Sequence, residues 1–319
     1  MRKLQGSKVL VTGGLGFIGS HLVRRLLKEK CEVHVFGSGS RQNVADVSDI
    51  LKIHDVDLRK QDAVRKAVSR IMPEKIFHLA ANVNVSRNIS QEEMLGNNFN
   101  GTVNLLKAAE AVDYDCFINT GTCEEYGNAK APFSEGQEPR PVSPYSESKV
   151  RTTSYCIDYQ KRTGRPVSVL RPFLTYGPFQ KNRFFVPYVI TSVLFNRPIS
   201  TTKGEQTREF NYVEDIVDGF ILASQSDAAV GEIINVGNGR EYAIKFVLKK
   251  ILGLMDAQIA VDYSLPYRDN EIMHLFCTNE KARKILKWQP RTSLEYGLKK
   301  TIAWYRAKFG SGEIEKWMA

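Results

Sequence analysis

The sequence predicts an α/β fold: a doubly wound parallel sheet covered by helices on both faces, with a smaller C-terminal lobe. Three observations carry that expectation. Short, nearly all-apolar runs of strand character alternate with longer helical patterns through the first half of the 319 residues. A glycine-spaced turn joins the first of these runs to the first helix. After Arg171-Pro172 the alternation breaks up into segments rich in Pro, Gly and aromatic residues. Alternation of this kind builds right-handed βαβ units, and strands covered on both faces are apolar on both faces.

In chain order the elements are KVLVT, a helix over 17–29, EVHVF, ILKIH, a helix over 61–70, KIFHLA, a helix over 91–111, DCFINT, a helix over 144–163 and VSVLRP. Residues 1–171 are read as the nucleotide-binding domain. Residues 172–319 are read mainly as the lobe, with 207–240, which contains the strand-and-helix stretch EFNYVEDIVDGFILAS, returning to the first domain.

Composition narrows the function. The chain is 42% hydrophobic, 25% charged and 10% aromatic, as in ordinary globular proteins. Its net charge of +10 is scattered over pairs such as Arg24-Arg25 and Lys299-Lys300, without a basic stripe interleaved with aromatics, so nucleic acid is not expected as a partner. The five cysteines form no CxxC pair and no metal-ligand spacing with the five histidines. No metal is expected, and reduced thiols suit the cytoplasm. No apolar run approaches the ~20 residues needed to span a bilayer, so no membrane role is expected.

The stretch VLVTGGLGFIGSHL carries Gly13, Gly16 and Gly19 between a strand and a helix. The first permits the tight turn, the second lets a pyrophosphate approach the backbone, and the third lets helix and strand pack closely. Phe17, Ile18 and Gly19 open the helix, whose free N–H groups and positive dipole end face the phosphates. This is a Rossmann-type dinucleotide site. At the end of the second strand, Gly37 stands where NAD enzymes place an acid for the ribose 2′-hydroxyl. With Ser38, Ser40 and Arg41 beside it, the reading favours NADP(H), with NAD(H) as the alternative. Asp57 and Leu58 close the third strand near the adenine. Ala80 and Ala81 end the fourth after His78, which is read as a packed strand-end histidine.

In SPYSESK, Tyr145 and Lys149 stand one helical turn apart on one face. An ammonium and a nicotinamide cation beside a phenol favour the phenolate, which can then exchange a proton with a substrate hydroxyl. At this point the sequence resembles the extended short-chain dehydrogenase/reductases that modify nucleotide sugars. The resemblance runs over nearly the whole chain through TGGLGFIGSHL, DVDL, HLAA, NNFNGTVNLL, TGTCEEYG, PYSESK, RPFLTYGP, REFNYVEDIVDGF and LPYRDNEI.

The resemblance implies that Thr122 holds the sugar hydroxyl, that Tyr145 is the acid/base and that Lys149 binds the nicotinamide ribose. Asn98 then buttresses the site. Arg208, Arg268 and Glu271 are implied to hold the diphosphate and nucleoside ribose, with Asn182 near the sugar and phosphates. Arg87 matches an arginine of the dehydratases' loop, where Asn84 replaces their usual histidine. Glu124 matches the dehydratases' base, and Cys123 replaces their acid. A thiol is a weak donor and titrates high.

The resulting expectation is hydride transfer at C4 of a nucleoside-diphosphate hexose. Reduction of a 4-keto-6-deoxyhexose is preferred over 4-epimerisation and over 4,6-dehydration or decarboxylation, because Gly37 and Cys123 replace the two acids. The non-enzymatic alternative is a catalytically silent dinucleotide-binding sensor or scaffold. By analogy, helices 91–111 and 144–163 form the four-helix interface of a homodimer.

Overall fold

Strand period 2 explains how one sheet serves two cores. Along the first strand, Val9 and Val11 join a cluster with Leu22, Val23 and Leu26, while Leu10 joins Val64, Val68 and Leu105 on the opposite face. The computed structural model describes residues 2–83, 90–269 and 271–314. Its main sheet has seven parallel strands: β1 (Lys8–Thr12), β2 (Glu32–Phe36), β3 (Lys52–His54), β4 (Lys75–His78), β5 (Cys116–Thr120), β6 (Val167–Pro172) and the strand Ile233–Val236. Across the sheet the order is Ile233–Val236, β6, β5, β4, β1, β2, β3. The winding reverses between β1 and β4, which opens a crevice at their carboxyl ends, the place where such sheets bind ligands.

The helices of this half are α1 (Phe17–Lys28), α2 (Gln61–Ile71), α3 (Gln91–Leu95), α4 (Gly101–Ala109) and α5 (Pro144–Thr163). The sequence supplies clear stops and starts for α5. Ser143 caps its first turn, Pro144 sits where a missing N–H costs nothing, and Gly164 ends it in the left-handed region at φ 68°. The single helix expected over 91–111 is instead interrupted by a π turn at Gly96–Asn100 and stops at Ala109. Helical periodicity does not register one extra residue per turn, and such turns gather at functional sites.

In the second half, α7 (Val213–Gln225) covers the same face as α1, ahead of the seventh strand. The strand Thr207–Glu209 pairs outside the main sheet, with Glu241–Ala243 and His274–Leu275. A third core lies among α6 (Phe185–Leu194), α8 (Ile244–Met255) and α9 (Leu294–Gly310), through Val189, Ile190, Val247, Leu248, Leu298 and Ile302. All five cysteines are free and buried. Among the described residues no helix is long and apolar enough to cross a membrane.

Where β5 and β6 end, an ion pair is sealed inside the protein. Arg171 Nε and Nη2 donate to Glu125 Oε2 at 2.9 and 2.7 Å, with Glu125 0% and Arg171 2% exposed. The guanidinium also lies 4.7 Å over the Tyr126 ring. Arg171→Ala would leave the carboxylate buried and unpaired, a loss of about 3–5 kcal/mol for pairs of this kind. Urea denaturation should show a lowered midpoint. An unchanged midpoint would mean that the pair does not hold these strand ends together.

Candidate active site

The glycine turn fits a dinucleotide for reasons visible in its own packing. Gly13 has φ 70°, and a Cβ there would lie 2.7 Å from the Ala80 nitrogen. At Gly19 a Cβ would meet the Gly13 carbonyl oxygen at 2.2 Å. Both glycines are thus fixed by close approach of backbone to backbone. Gly16 differs: a Cβ there would touch only that same carbonyl, at 3.2 Å. It opens α1 without a side-chain cap, so the first-turn N–H groups at Phe17, Ile18 and Gly19 are presented at a bare helix end.

At the end of β2, a Cβ on Gly37 would lie 2.9 Å from Leu15 Cδ1, the tip of a side chain that can shift. Ser38, Ser40 and Arg41 follow in an exposed loop. Asp57, at the close of β3, is bound by the Arg59 guanidinium, which holds its carboxyl down to about 2. Asn104 Nδ2 donates to the Leu58 carbonyl at 2.9 Å, placing Leu58 beside α4.

Behind the crevice runs a chain of hydrogen bonds whose proton directions can be deduced. Thr102 Oγ1 donates to the Asn98 carbonyl at 2.7 Å, so it must accept from His78 Nε2, 2.8 Å away. His78 Nδ1 then accepts from Thr12 Oγ1 at 2.6 Å, and Thr12 Oγ1 in turn accepts from the Ala80 N–H at 3.2 Å. His78 is packed, as its strand-end position suggests. Asn98, inside the π turn, accepts from the Asn82 N–H at 2.7 Å and donates to Ser148 Oγ at 2.9 Å. It therefore ties the end of β4 to α5 and holds the helix that carries Tyr145 and Lys149.

The turn after β5 decides the roles of its residues. Cys123–Glu125 is one turn of 3₁₀ helix capped by Thr122, whose N–H donates to Glu125 Oε1 at 2.9 Å. Glu125, which the sequence reading passed over, faces inward and fixes Thr122. Glu124 points the other way, half-buried, towards Arg208 and Arg268; burial raises its carboxyl and the two arginines pull it back. Cys123 packs into an apolar cluster with Tyr126, Phe133, Phe173 and Leu275. Burial first, then the carboxylates of Glu124 and Glu209, push its thiol well above the usual range, so it has no acid strength near neutrality.

Tyr145 is hydrogen-bonded to the Thr122 side chain and nearly buried. Burial raises its phenol well above the usual value, and Thr122 opposes that shift only in part. The expected easing of the phenol by Lys149 is therefore not met in the protein alone. Lys149 Nζ donates to the Thr120 carbonyl at 2.5 Å; burial lowers its ammonium and the Glu125 carboxylate opposes that. At the same strand end, Thr120 Oγ1 is buried without a hydrogen-bond partner among the described residues, a polar atom that the sequence reading did not single out.

Around the crevice mouth, Arg208 pairs with Glu271 and also donates to the carbonyls of Thr207 and Ile272, at 2.7 Å each. Arg268 is exposed on the same side, and the Glu271 N–H donates to its carbonyl at 3.1 Å. Asn182 is half-buried in the turn ahead of α6. Arg87 and Asn84 lie outside the described residues. Glu209, next to Arg208, was also passed over. It is fully buried, accepts from the Cys277 and Gly239 N–H groups at 2.8 and 3.1 Å, and burial lifts its carboxyl to about 7.

Residues 9–237 match the family described as NAD dependent epimerase/dehydratase. This chain belongs to that family. It is 32% identical over 316 residues to the UDP-glucose 4-epimerase of Mycolicibacterium smegmatis, covering 94% of this chain and 99% of that protein. It is 30% identical over 318 residues to the UDP-N-acetyl-alpha-D-glucosaminuronate decarboxylase of Bacillus cytotoxicus, covering 94% and 98%. Among solved structures, the UDP-glucuronic acid 4-epimerase of Bacillus cereus, in complex with UDP-glucuronic acid and NAD, superposes with a TM-score of 0.85 at 27% identity, covering 94% of this chain and 99% of that one. The family is defined by NAD, and the preference for NADP(H) drawn from Gly37 finds no support in it.

The buried network makes a pH prediction. His78 is lowered by burial, then by the Lys149 charge, from 6.5 to about 3. Below 6.5 the unfolded chain takes up a proton that the folded ring refuses, so this ring's contribution to stability is lost as pH falls from about 6.5 towards about 3. In ¹⁵N spectra of the folded protein, His78 should keep the neutral Nε2–H pattern between about pH 5 and 8. A ring that titrates in that window would contradict the deduced proton order.

Proposed function

We propose that this family member is a cytoplasmic nucleoside-diphosphate hexose 4-epimerase that works through a retained NAD. The observation that carries the reading is a hydrogen-bonded Thr122 and Tyr145 with Lys149 alongside, next to a Cys123 thiol turned into apolar packing. Epimerisation at C4 needs one acid/base and one hydride acceptor. Elimination needs a further acid or base on the sugar, and Cys123 does not supply it.

When bound, NAD would supply the hydride acceptor for C4 and, once the 4-keto sugar has turned its opposite face, the donor that restores the hydride with inversion. Tyr145 takes the O4 proton as the hydride leaves and gives it back when the hydride returns, so no outside reductant is consumed. Because burial disfavours the phenolate, Tyr145 depends on positive charge arriving with the oxidised nicotinamide. Thr122, locked by Glu125, positions O4. Lys149 and Thr120 present an ammonium and a hydroxyl to the nicotinamide ribose.

Asp57, Leu58, Ala80 and Ala81 frame the adenosine side. Arg208 and Arg268 take the substrate diphosphate, with Arg208 exchanging Glu271 for phosphate oxygens. Asn182 then stands near the sugar. The reading departs from the 4-keto reduction preferred from sequence, since the relatives named above are epimerases and a decarboxylase rather than reductases. One observation favours a second reading, dehydration or decarboxylation with Glu124 as base: its carboxyl is raised by burial at the mouth of the site. A homodimer through the 91–109 segment and α5 remains part of the proposal, checked by the mass in solution.

The protein should release NAD on denaturation. With UDP-glucose or UDP-N-acetylglucosamine it should form the C4 epimer, read from the anomeric protons by NMR, without consuming added cofactor. Tyr145→Phe should keep the NAD and lower kcat by about 10²–10⁴-fold, the usual worth of a positioned acid/base. A 4-keto-6-deoxy product, or stoichiometric oxidation of NADPH, would overturn the reading.

A further inference from the structure

A second cleft gathers charge away from the active site. It lies on the α2 side of the sheet, has a volume of about 410 Å³, and is lined by Lys8, Glu32, His34, Lys52, His54 and Arg70. Register accounts for the gathering. Lys8 stands opposite Glu32 and His34 opposite Lys52, and residues two apart on a strand share a face. Glu32 and His34 therefore face α2 together with Phe36, and Lys52 and His54 beside them do the same.

The protons in this cleft can be ordered. Glu32 Oε1 accepts from Lys52 Nζ at 2.5 Å and lies 2.9 Å from His34 Nε2, which must carry the hydrogen because a carboxylate only accepts. Neutral His34 then has a bare Nδ1, and His54 Nε2, 2.9 Å away, donates to it. That leaves His54 Nδ1 as the acceptor at the end of the chain. Charge is out of balance: Lys8, Lys52 and Arg70 face the single carboxylate of Glu32. Glu74, at the edge, is engaged with the Lys8 backbone N–H at 2.7 Å. Among the described residues neither Lys8 nor Arg70 has an ion-pair partner. Both rings feel the excess. His34 is lowered by burial, against the pull of Glu32 and with help from Lys52 and Lys8; His54 is lowered by burial, then by His34, Arg70 and Lys52.

We propose that this cleft is a second ligand site, taking a phosphate group between Arg70, Lys52 and Lys8, with His54 binding a proton as the anion enters. The volume is within the range of about 300–1,000 Å³ typical of small-molecule sites, enough for a phosphate monoester. Arg70 supplies a planar fork for phosphate oxygens, and the two lysines supply point charges. An anion beside His54 cancels the cations that now oppose its protonation. The site is independent of the reaction at C4.

The test is imidazole NMR on the intact protein from about pH 5 to 8, in chloride and in inorganic phosphate at matched ionic strength. Phosphate should raise the His54 midpoint by about one pH unit, saturably, while His21, half-buried, and His78, buried, both elsewhere in the fold, stay unmoved. In Arg70→Gln, and separately in Lys52→Gln, the phosphate effect should be reduced or lost. Identical curves in the two salts, or an undiminished shift in both variants, would overturn the proposal. Glucose 1-phosphate serves as a second probe: saturation at lower concentration than phosphate identifies an ester as the ligand, and equal saturation identifies the free ion, each supporting the site.

Discussion

The Glu125 carboxylate is the hinge on which the site's geometry turns. One oxygen holds the Thr122 N–H and the other holds Arg171, so the end of β5 and the end of β6 share a single buried anion. Gly121 is required by the same contact: a Cβ there would stand 2.6 Å from Glu125 Oε1 and 2.9 Å from Arg171 Cγ. The anion also offsets part of the cost of burying the Lys149 ammonium on the neighbouring helix. Thr122 and Lys149 thus both depend on one buried charge, an arrangement by which a rigid shell can hold side chains in fixed geometry.

Much of this was legible in the sequence because its signals are local. Gly13, Gly16 and Gly19 announce themselves by spacing, and α5 is framed by Ser143, Pro144 and Gly164. That Tyr145 and Lys149 share one helix face follows from helical period. The choice between Glu124 and Glu125 was not legible, since both follow Thr122 and only the sense of a 3₁₀ turn decides which faces inward. Glu209 was missed for a related reason. Its partners are N–H groups at Gly239 and Cys277, far away in sequence, and nothing in REFNY distinguishes a buried carboxylate from a solvated one. At Gly37 an absent acid reads as a preference for phosphate, and the family match lends that preference no support.

The π turn at Gly96–Asn100 carries a second support of the site. Asn98 must present its amide to Asn82 and Ser148 while its carbonyl takes the Thr102 hydroxyl. The extra residue in that turn opens the helix enough for both. From there the chain Thr102, His78, Thr12 and Ala80 reaches the back of the glycine turn. The dinucleotide cradle and the Tyr145 helix are therefore registered to each other through side chains on β1, β4 and α4, independently of the Glu125 clasp.

Two separate supports hold one constellation around position 123. Thr122 is fixed by its backbone to Glu125, and Tyr145 by the Asn98 and Ser148 contact, so the residue between Thr122 and the glutamates is free of any positioning duty. Its side chain packs with Phe133, Phe173 and Leu275, where a small apolar thiol is a good filler. A thiol in this place, pushed up by burial, adds no acid beside Thr122, Tyr145 and Lys149, and the proposed 4-epimerisation rests on that packing.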